Sequence, residues 1–373
     1  MVNNKCKICH LTTVHQINDV RIFVKECTGL AANGFDVTFI ACGDNAFEDI
    51  KSGVKRISLS VPVKNHLQRM TKRVWEVYKK ALTVDADIYH FHDPELLPIG
   101  RKLKRKGKKV IYDAHEDLPY DIMVKLWIPI YLRKICSVIL KKVEHHYVRN
   151  LDGVITVMEP IKRRLQQINK NVIVCSNYAS LNEFAETPAW NGNKNKICYI
   201  GGISKIRGIV QVIEAAEKVN IGLELAGEFS SRDFGEELKS MSGWKVVNYY
   251  GVVDRTRLRD IFSSCLAGMV TFIPSRHNMD ASPNKIFEYM AAGIPVIASN
   301  LPYAEKILLP ARSGICVNPE SSEEIANAIR FLIENPVMVK EMGENGRRAF
   351  EEKYNWQIEE KKLIQLYHNI FNN

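Results

Sequence analysis

The chain has 373 residues, 46% hydrophobic and 25% charged, with a mean hydropathy of −0.17, which excludes a disordered chain. At ~100–200 residues per domain it should form two domains, and no apolar run reaches the ~20 residues of a membrane helix. Lys and Arg outnumber Asp and Glu by 52 to 42, and residues 1–180 carry all of that excess, with 30 cations against 18 anions.

The chain opens without a secretory pattern, so a cytoplasmic protein is expected. Cys6-Lys7-Ile8-Cys9-His10 reads literally as a haem-attachment sequence, but that chemistry belongs to exported proteins, and two thiolates are too few for a structural zinc. The segment is better read as a first strand with core cysteines. Further apolar runs follow at 36–42, 54–61, 87–92, 108–115, 153–157 and 171–176, then at 196–202, 223–227, 246–251, 268–274, 294–299 and 314–317. Continuous rather than alternating hydrophobicity predicts strands covered on both faces. Helical periodicity at 19–33, 66–83, 120–149, 209–219, 255–265, 284–292, 321–335 and 356–371 separates many of them. The expected fold class is α/β: two doubly wound parallel-sheet domains facing a cleft. The predicted division is an N-terminal domain 1–176, a linker 177–195, a second domain 196–355 and a terminal helix 356–373.

In such sheets ligands bind beyond the carboxyl ends of the strands, so residues there carry the functional reading. Phe91-His92-Asp93-Pro94-Glu95 and Tyr112-Asp113-Ala114-His115-Glu116-Asp117 follow two adjacent strands. His and carboxylates so placed can hold a metal, act as acid and base, or bind hydroxyls. His15 and Asp19 lie in the first loop, where Asp19 can equally cap a helix. The run Arg101 to Lys109 has seven basic residues of nine, a signature of an anionic partner or of a solvated helix end.

In the second half, Gly201-Gly202-Ile203-Ser204-Lys205-Ile206-Arg207-Gly208 joins a strand to a helix. Glycines let backbone approach an anion, and Lys205 and Arg207 add positive charge. The segment Asp280-Ala281-Ser282-Pro283-Asn284-Lys285 leads into an apolar helix containing Glu288 and ending at Gly293. Ser282 is the expected N-cap and Pro283 the first helical residue. Lys285 opposes the helix dipole, which points to an anionic ligand.

These motifs resemble family four glycosyltransferases of the GT-B class, built from two Rossmann-like domains. Asp280 and Glu288 have the family's spacing of two acids, and Ala291-Ala292-Gly293-Ile294-Pro295-Val296 matches its following turn. Asp280 stands where the family usually has Glu. Gly201-Gly202 stands where it usually has Gly-Arg, so one phosphate-binding arginine is missing. Residues 10–41 and 354–367 resemble the family's first strand-helix-strand and its terminal helix, and the likeness covers nearly the whole chain.

The resemblance implies transfer of a sugar, with retention, from a nucleotide-sugar donor to a hydroxyl of a glycan or lipid-linked acceptor, as in cell-surface polysaccharide assembly. No metal or other cofactor is implied. It makes His92, Asp280 and Arg207 the catalytic group. Gly201, Gly202, Lys205, Ser282, Pro283, Asn284, Lys285 and Glu288 become donor contacts, with Lys285 the first candidate for the missing arginine and Lys205 the second. His15, Asp93, His115 and Glu116 fall on the acceptor side. The basic first half, with the apolar residues of 125–149, suggests peripheral docking on the anionic inner face of the cytoplasmic membrane. Two rivals are a nucleotide-sugar epimerase on the same fold and a nucleic-acid-binding protein. The latter lacks stacking aromatics in 101–109, so no nucleic-acid partner is expected.

Overall fold

The computed structural model describes residues 5–125, 128–184, 194–275 and 283–372. They form two compact units, Met1–Asn177 with Glu359–Asn373, and Tyr178–Ile358.

The first unit is built on β1 (Lys7–Leu11), β2 (Asp36–Gly43), β3 (Phe47–Lys51), β4 (Val54–Ser60), β5 (Ile88–Phe91), β6 (Lys109–Ala114), β7 (Gly153–Thr156) and β8 (Val172–Val174). They form one sheet in the order β3-β4-β2-β1-β5-β6-β7-β8. All neighbours are parallel except β3, which pairs antiparallel with β4. The sequence pattern does not announce strand β3, because every one of its residues is exposed and it shows no apolar run. A tight turn holds it, with positive φ at Ser52 and Gly53 as hairpin connections require.

The second unit contains β9 (Lys196–Ile200), β10 (Gly222–Ala226), β11 (Val247–Tyr249), β12 (Ala267–Val270), β13 (Val296–Ser299) and β14 (Gly314–Val317). All are parallel, in the order β11-β10-β9-β12-β13-β14. The strand order reverses at β1/β5 in the first sheet and at β9/β12 in the second. Ligands of open α/β sheets bind at such switch points, beyond the strands' carboxyl ends. His10 and His92 lie at the first, and the glycine loop at the second.

Helices cover both sheets, and the structure corrects several expected boundaries. The helix expected over 120–149 is two, Leu118–Val124 and Ile130–Val148. The first ends at Val124, and Pro129, which has no N–H to continue a helix, is the N-cap of the second. Helices Leu97–Arg105, Glu159–Leu165, Arg232–Lys239, Pro302–Ala311 and Pro336–Glu352 are additional. Four of the five carry proline in their first turn, where its fixed φ starts a helix rather than ending one. Gly343 in the last of them explains its packing. A Cβ there would stand 2.2 Å from the Gly293 carbonyl oxygen, so glycine brings this helix against the turn that ends helix Asn284–Ala291.

Of the terminal helix Trp356–Asn372, residues from Glu359 onward belong to the first unit. Glu359 accepts the Ser176 N–H at 3.0 Å, and Ile370 packs against Gly153 of β7. Cys6 and Cys9 are buried, and all nine cysteines are free thiols.

Candidate functional site

In the first unit, His10 on β1 and His90 on β5 are paired in register, which puts their rings 4.4 Å apart. His92 follows β5, and its Nε2 lies 3.0 Å from His10 Nδ1. Its Nδ1 lies 3.2 Å from His115 Nε2 and 3.5 Å from an Asp113 oxygen. Asp113, on β6, also takes the buried Arg21 guanidinium through Nη2 at 2.9 Å and Nε at 3.1 Å. Burial opposes ionisation of Asp113, but Arg21 outweighs it and holds the carboxylate well below its usual range. Glu26 stands beside this pair, 3.2 Å from Arg21 Nε. Burial, aided by the Asp113 charge, raises its pKa well above the ordinary value despite Arg21. Burial likewise lowers His92 to about 4 and holds His10 and His90 well below the ordinary imidazole value, so the three rings are neutral.

The His92 side chain is fully buried and both ring nitrogens face protein groups, because β1 and β6 flank β5 and present His10 and His115 to it. The neighbouring rings that reach the surface are His115, 18% exposed, and His15, 29% exposed. Asp93 is also buried, and clamps the loop after β1 by accepting from Thr12 Oγ1 at 2.8 Å and Thr13 N at 2.6 Å. Asp19 caps the helix at Ile22 N, 2.9 Å away, and pairs with His15 Nδ1 at 3.2 Å. That bond raises the His15 pKa against the effect of partial burial. Glu116 shares a proton with Asp121. The hydrogen bond lowers Glu116, whereas burial and the neighbouring Glu116 push Asp121 up to about 8.

In the second unit the glycine loop leaves β9 with Gly201 at φ +133° and returns into helix Ile209–Val219 through Gly208 at φ +70°. The Arg207 guanidinium folds back over the loop. A Cβ on either Gly201 or Gly202 would lie 3.3 Å from its Nη1, and a Cβ on Gly201 would lie 3.9 Å from Lys285 Cε. Lys285 Nζ in turn contacts Glu288 at 2.6 Å, and Arg255 reaches the other Glu288 oxygen at 3.5 Å. Gly201, Gly202, Arg207, Lys285 and Glu288 therefore converge. Lys205 instead makes an exposed pair with Glu237, 3.1 Å away. Pro283 occupies the N-cap position, and helix Asn284–Ala291 begins one residue later than expected. Asp280 and Ser282 lie outside the described residues.

Residues 21–179 match the model of Glycosyltransferase Family 4, and residues 180–349 that of Glycosyl transferases group 1. The chain belongs to the family four, group 1 glycosyltransferases. The chain is 26% identical over 182 residues to an uncharacterized glycosyltransferase of Methanocaldococcus jannaschii, covering 48% of this chain and 45% of that one. The chain spans about half the length of the curated relatives it matches. Its fold is the GT-B fold. It superposes on sucrose-phosphate synthase from Thermosynechococcus elongatus with a TM-score of 0.75 and 20% identity, covering 99% of this chain and 100% of that one. Against Anabaena HepE in complex with UDP and glucose the TM-score is 0.72 at 15% identity, covering 97% and 99%.

No sequence motif announces Arg21, Glu26, His90 and Tyr367 as members of the histidine cluster. A signal existed for the first two. Arg21, Lys25 and Glu26 place three charges on a segment whose Ile22, Phe23 and Cys27 are core residues, and all six are buried. The Tyr367 hydroxyl, 3.1 Å from His10 Nε2 and 2.7 Å from His90 Nδ1, arrives from the far end of the chain, where no local spacing announces it.

Proposed function

We propose that the protein transfers a sugar from a nucleoside-diphosphate sugar to a hydroxyl of a glycan or lipid-linked acceptor, with retention and without a catalytic metal ion. The observation that carries this reading is the convergence of Arg207 and Lys285 on the Gly201-Gly202 turn. Two cations beside open backbone at a strand end suit a diphosphate leaving group, whose charge grows as the anomeric C–O bond breaks. The acceptor oxygen would bond on the face the diphosphate leaves, passing its proton to the departing phosphate oxygen. Arg207 fills the space beside Gly202, which supports it as the substitute for the missing arginine. Glu288, nearly buried yet held between Lys285 and Arg255, suits the ribose hydroxyls. HepE was crystallised with UDP and with UDP-glucose, which makes UDP-sugars the first donors to try. In the first unit, His115 and His15 suit the sugar and acceptor hydroxyls, with His92 and Asp113 holding His115 in place. Asp93 supports the same surface through its loop clamp.

We also assign the helix Ile130–Val148 to the anionic cytoplasmic face of a membrane. Ile130, Tyr131, Leu132, Ile135, Val138, Ile139 and Val143 are all exposed on it, Ile130 to 78%. Exposed Lys134, Lys141 and Lys142 lie among them. Apolar residues at helical spacing flanked by lysines suit the boundary between headgroups and acyl chains. Among the described residues no helix is long and apolar enough to cross a membrane. The run 101–109 supports this surface less, because Lys104 and Lys109 pair with Asp152, Lys108 pairs with Asp85 and Lys102 stacks on Trp75.

The test is incubation with a panel of nucleotide-sugars, with and without chelator, followed by product analysis. Transfer to an added acceptor, unaffected by chelator, is the expected result. Conversion of the donor to its epimer without an acceptor would favour the epimerase.

A further inference from the structure

Four side chains from three separate parts of the first unit converge beneath His115. His10 comes from β1, Glu26 from the helical turn Val20–Cys27, and His90 and His92 from β5 and its end. Each offers one nitrogen or oxygen, and these atoms all lie within 4.8 Å of one another. Two of the separations are 3.0 Å between His10 Nδ1 and His92 Nε2, and 4.0 Å between His92 Nε2 and a Glu26 oxygen. Ligand atoms around a tetrahedral zinc with bonds of about 2.0–2.1 Å stand roughly 3.3 Å apart, so these values bracket the required spacing.

A second, independent observation comes from the hydrogen bonds the cluster lacks. His90 Nε2 is fully buried without a hydrogen-bond partner. The Glu26 oxygens, also fully buried, accept no hydrogen bond, and one of them meets only the Arg21 guanidinium, as an ion pair at 3.2 Å. Buried polar atoms are ordinarily matched by a partner, so the unpartnered His90 nitrogen points to a missing one. The nitrogens facing away from the convergence point are nearly all matched. His10 Nε2 and His90 Nδ1 both meet the Tyr367 hydroxyl, and His92 Nδ1 faces Asp113. Ligating histidines are typically held this way, with the outward ring nitrogen fixed by an oxygen group.

We propose that His10, Glu26, His90 and His92 bind one divalent transition-metal ion, zinc by the chemistry of three imidazoles and a carboxylate in a four-coordinate closed site. The ion is structural. All four ligands are buried, leaving no coordination position for substrate, so it differs in kind from a catalytic metal with an open site. It joins β1, β5 and the first helical segment, and through Tyr367 it fixes the terminal helix to the same core. It also places His92, and so His115. The ion enters as the unit folds and exchanges slowly afterwards. Sugar transfer insensitive to brief chelation is therefore compatible with it.

The experiment uses the full-length chain, purified without chelator and also refolded in zinc, with metal content measured by mass spectrometry. About one zinc per chain is expected, with an X-ray absorption spectrum showing nitrogen and oxygen ligands and no sulfur. Refolding in cobalt should give the intense visible absorption of a four-coordinate ion. Glu26→Gln should lose at least tenfold of the bound zinc, and His115→Gln should keep it. Zinc-free wild type after both preparations overturns the proposal. So does sulfur ligation, or undiminished zinc in folded Glu26→Gln. The wild-type spectra decide the matter even if that variant does not fold. Donor binding is read separately, so failure of the zinc site and failure of the transferase reading are distinguishable.

Discussion

The Arg207 guanidinium occupies the space that a side chain at Gly202 would enter, with its Nη1 3.3 Å from the position of a Gly202 Cβ. Arg207 lies five residues after Gly202, and its charge stands at the carboxyl end of β9.

Arg207→Ala should weaken donor binding about 10–100-fold, the equivalent of one charge-assisted phosphate contact of about 1.5–3 kcal/mol. The double variant Gly202→Arg with Arg207→Ala should recover most of the loss, because the new arginine enters the vacated volume. Calorimetric titration with the preferred donor measures both. Equal weakening in the two variants would show that position 207, and not the charge, is what matters.

Gly208 tests the loop's shape without touching its charge. Its φ is +70°, and a Cβ there would stand 2.0 Å from the Thr271 carbonyl oxygen. Gly208→Ala therefore combines left-handed strain with a backbone clash and should cost about 2–4 kcal/mol of stability. Denaturant unfolding would read it, and a change under 1 kcal/mol would contradict the described loop.

Much of this architecture is readable in the sequence because both sheets are covered on both faces. All four residues of β5, and all four of β12, are buried, and continuous apolar runs mark such strands clearly. Polar β3 carries no such mark, and the proline-started helices are hidden because proline reads more often as a stop. The glycine loop is legible since its residues adjoin in sequence. The histidine cluster is only half legible. His92 and His115 follow strands, but His10, Glu26 and Tyr367 reach them through the register of β1 on β5 and the return of the terminal helix.

The Glu116–Asp121 pair gives a pH signature. The Asp121 pKa is raised to about 8, so its contribution to stability is full below the ordinary value of 3.8 and is lost as pH rises through about 8. Asp121→Asn keeps a neutral hydrogen-bonding partner for Glu116. Its melting temperature should exceed that of the wild type increasingly from pH 5 to pH 8, the gap then levelling off. Parallel melting curves across that range would remove the shared proton.

The exposed helix predicts a lipid dependence. Flotation with vesicles containing about one third phosphatidylglycerol should carry most of the protein, and vesicles of phosphatidylcholine alone much less. Tyr131→Ser with Ile135→Ser should abolish flotation while leaving the melting temperature within ~2 °C, since both side chains are already in solvent. Flotation indifferent to these changes would place the lipid contact elsewhere or nowhere.

The second unit is proposed to hold a nucleoside-diphosphate sugar over the Gly201-Gly202 turn. The most direct measurement is calorimetric titration of the whole protein with UDP-sugars and other nucleotide-sugars, in the presence of chelator, for the wild type and for Arg207→Ala with Lys285→Ala. Saturable binding of at least one donor by the wild type is expected, with a loss of 100-fold or more in the double variant. Absence of binding across the panel, or equal affinity in the two proteins, would contradict it.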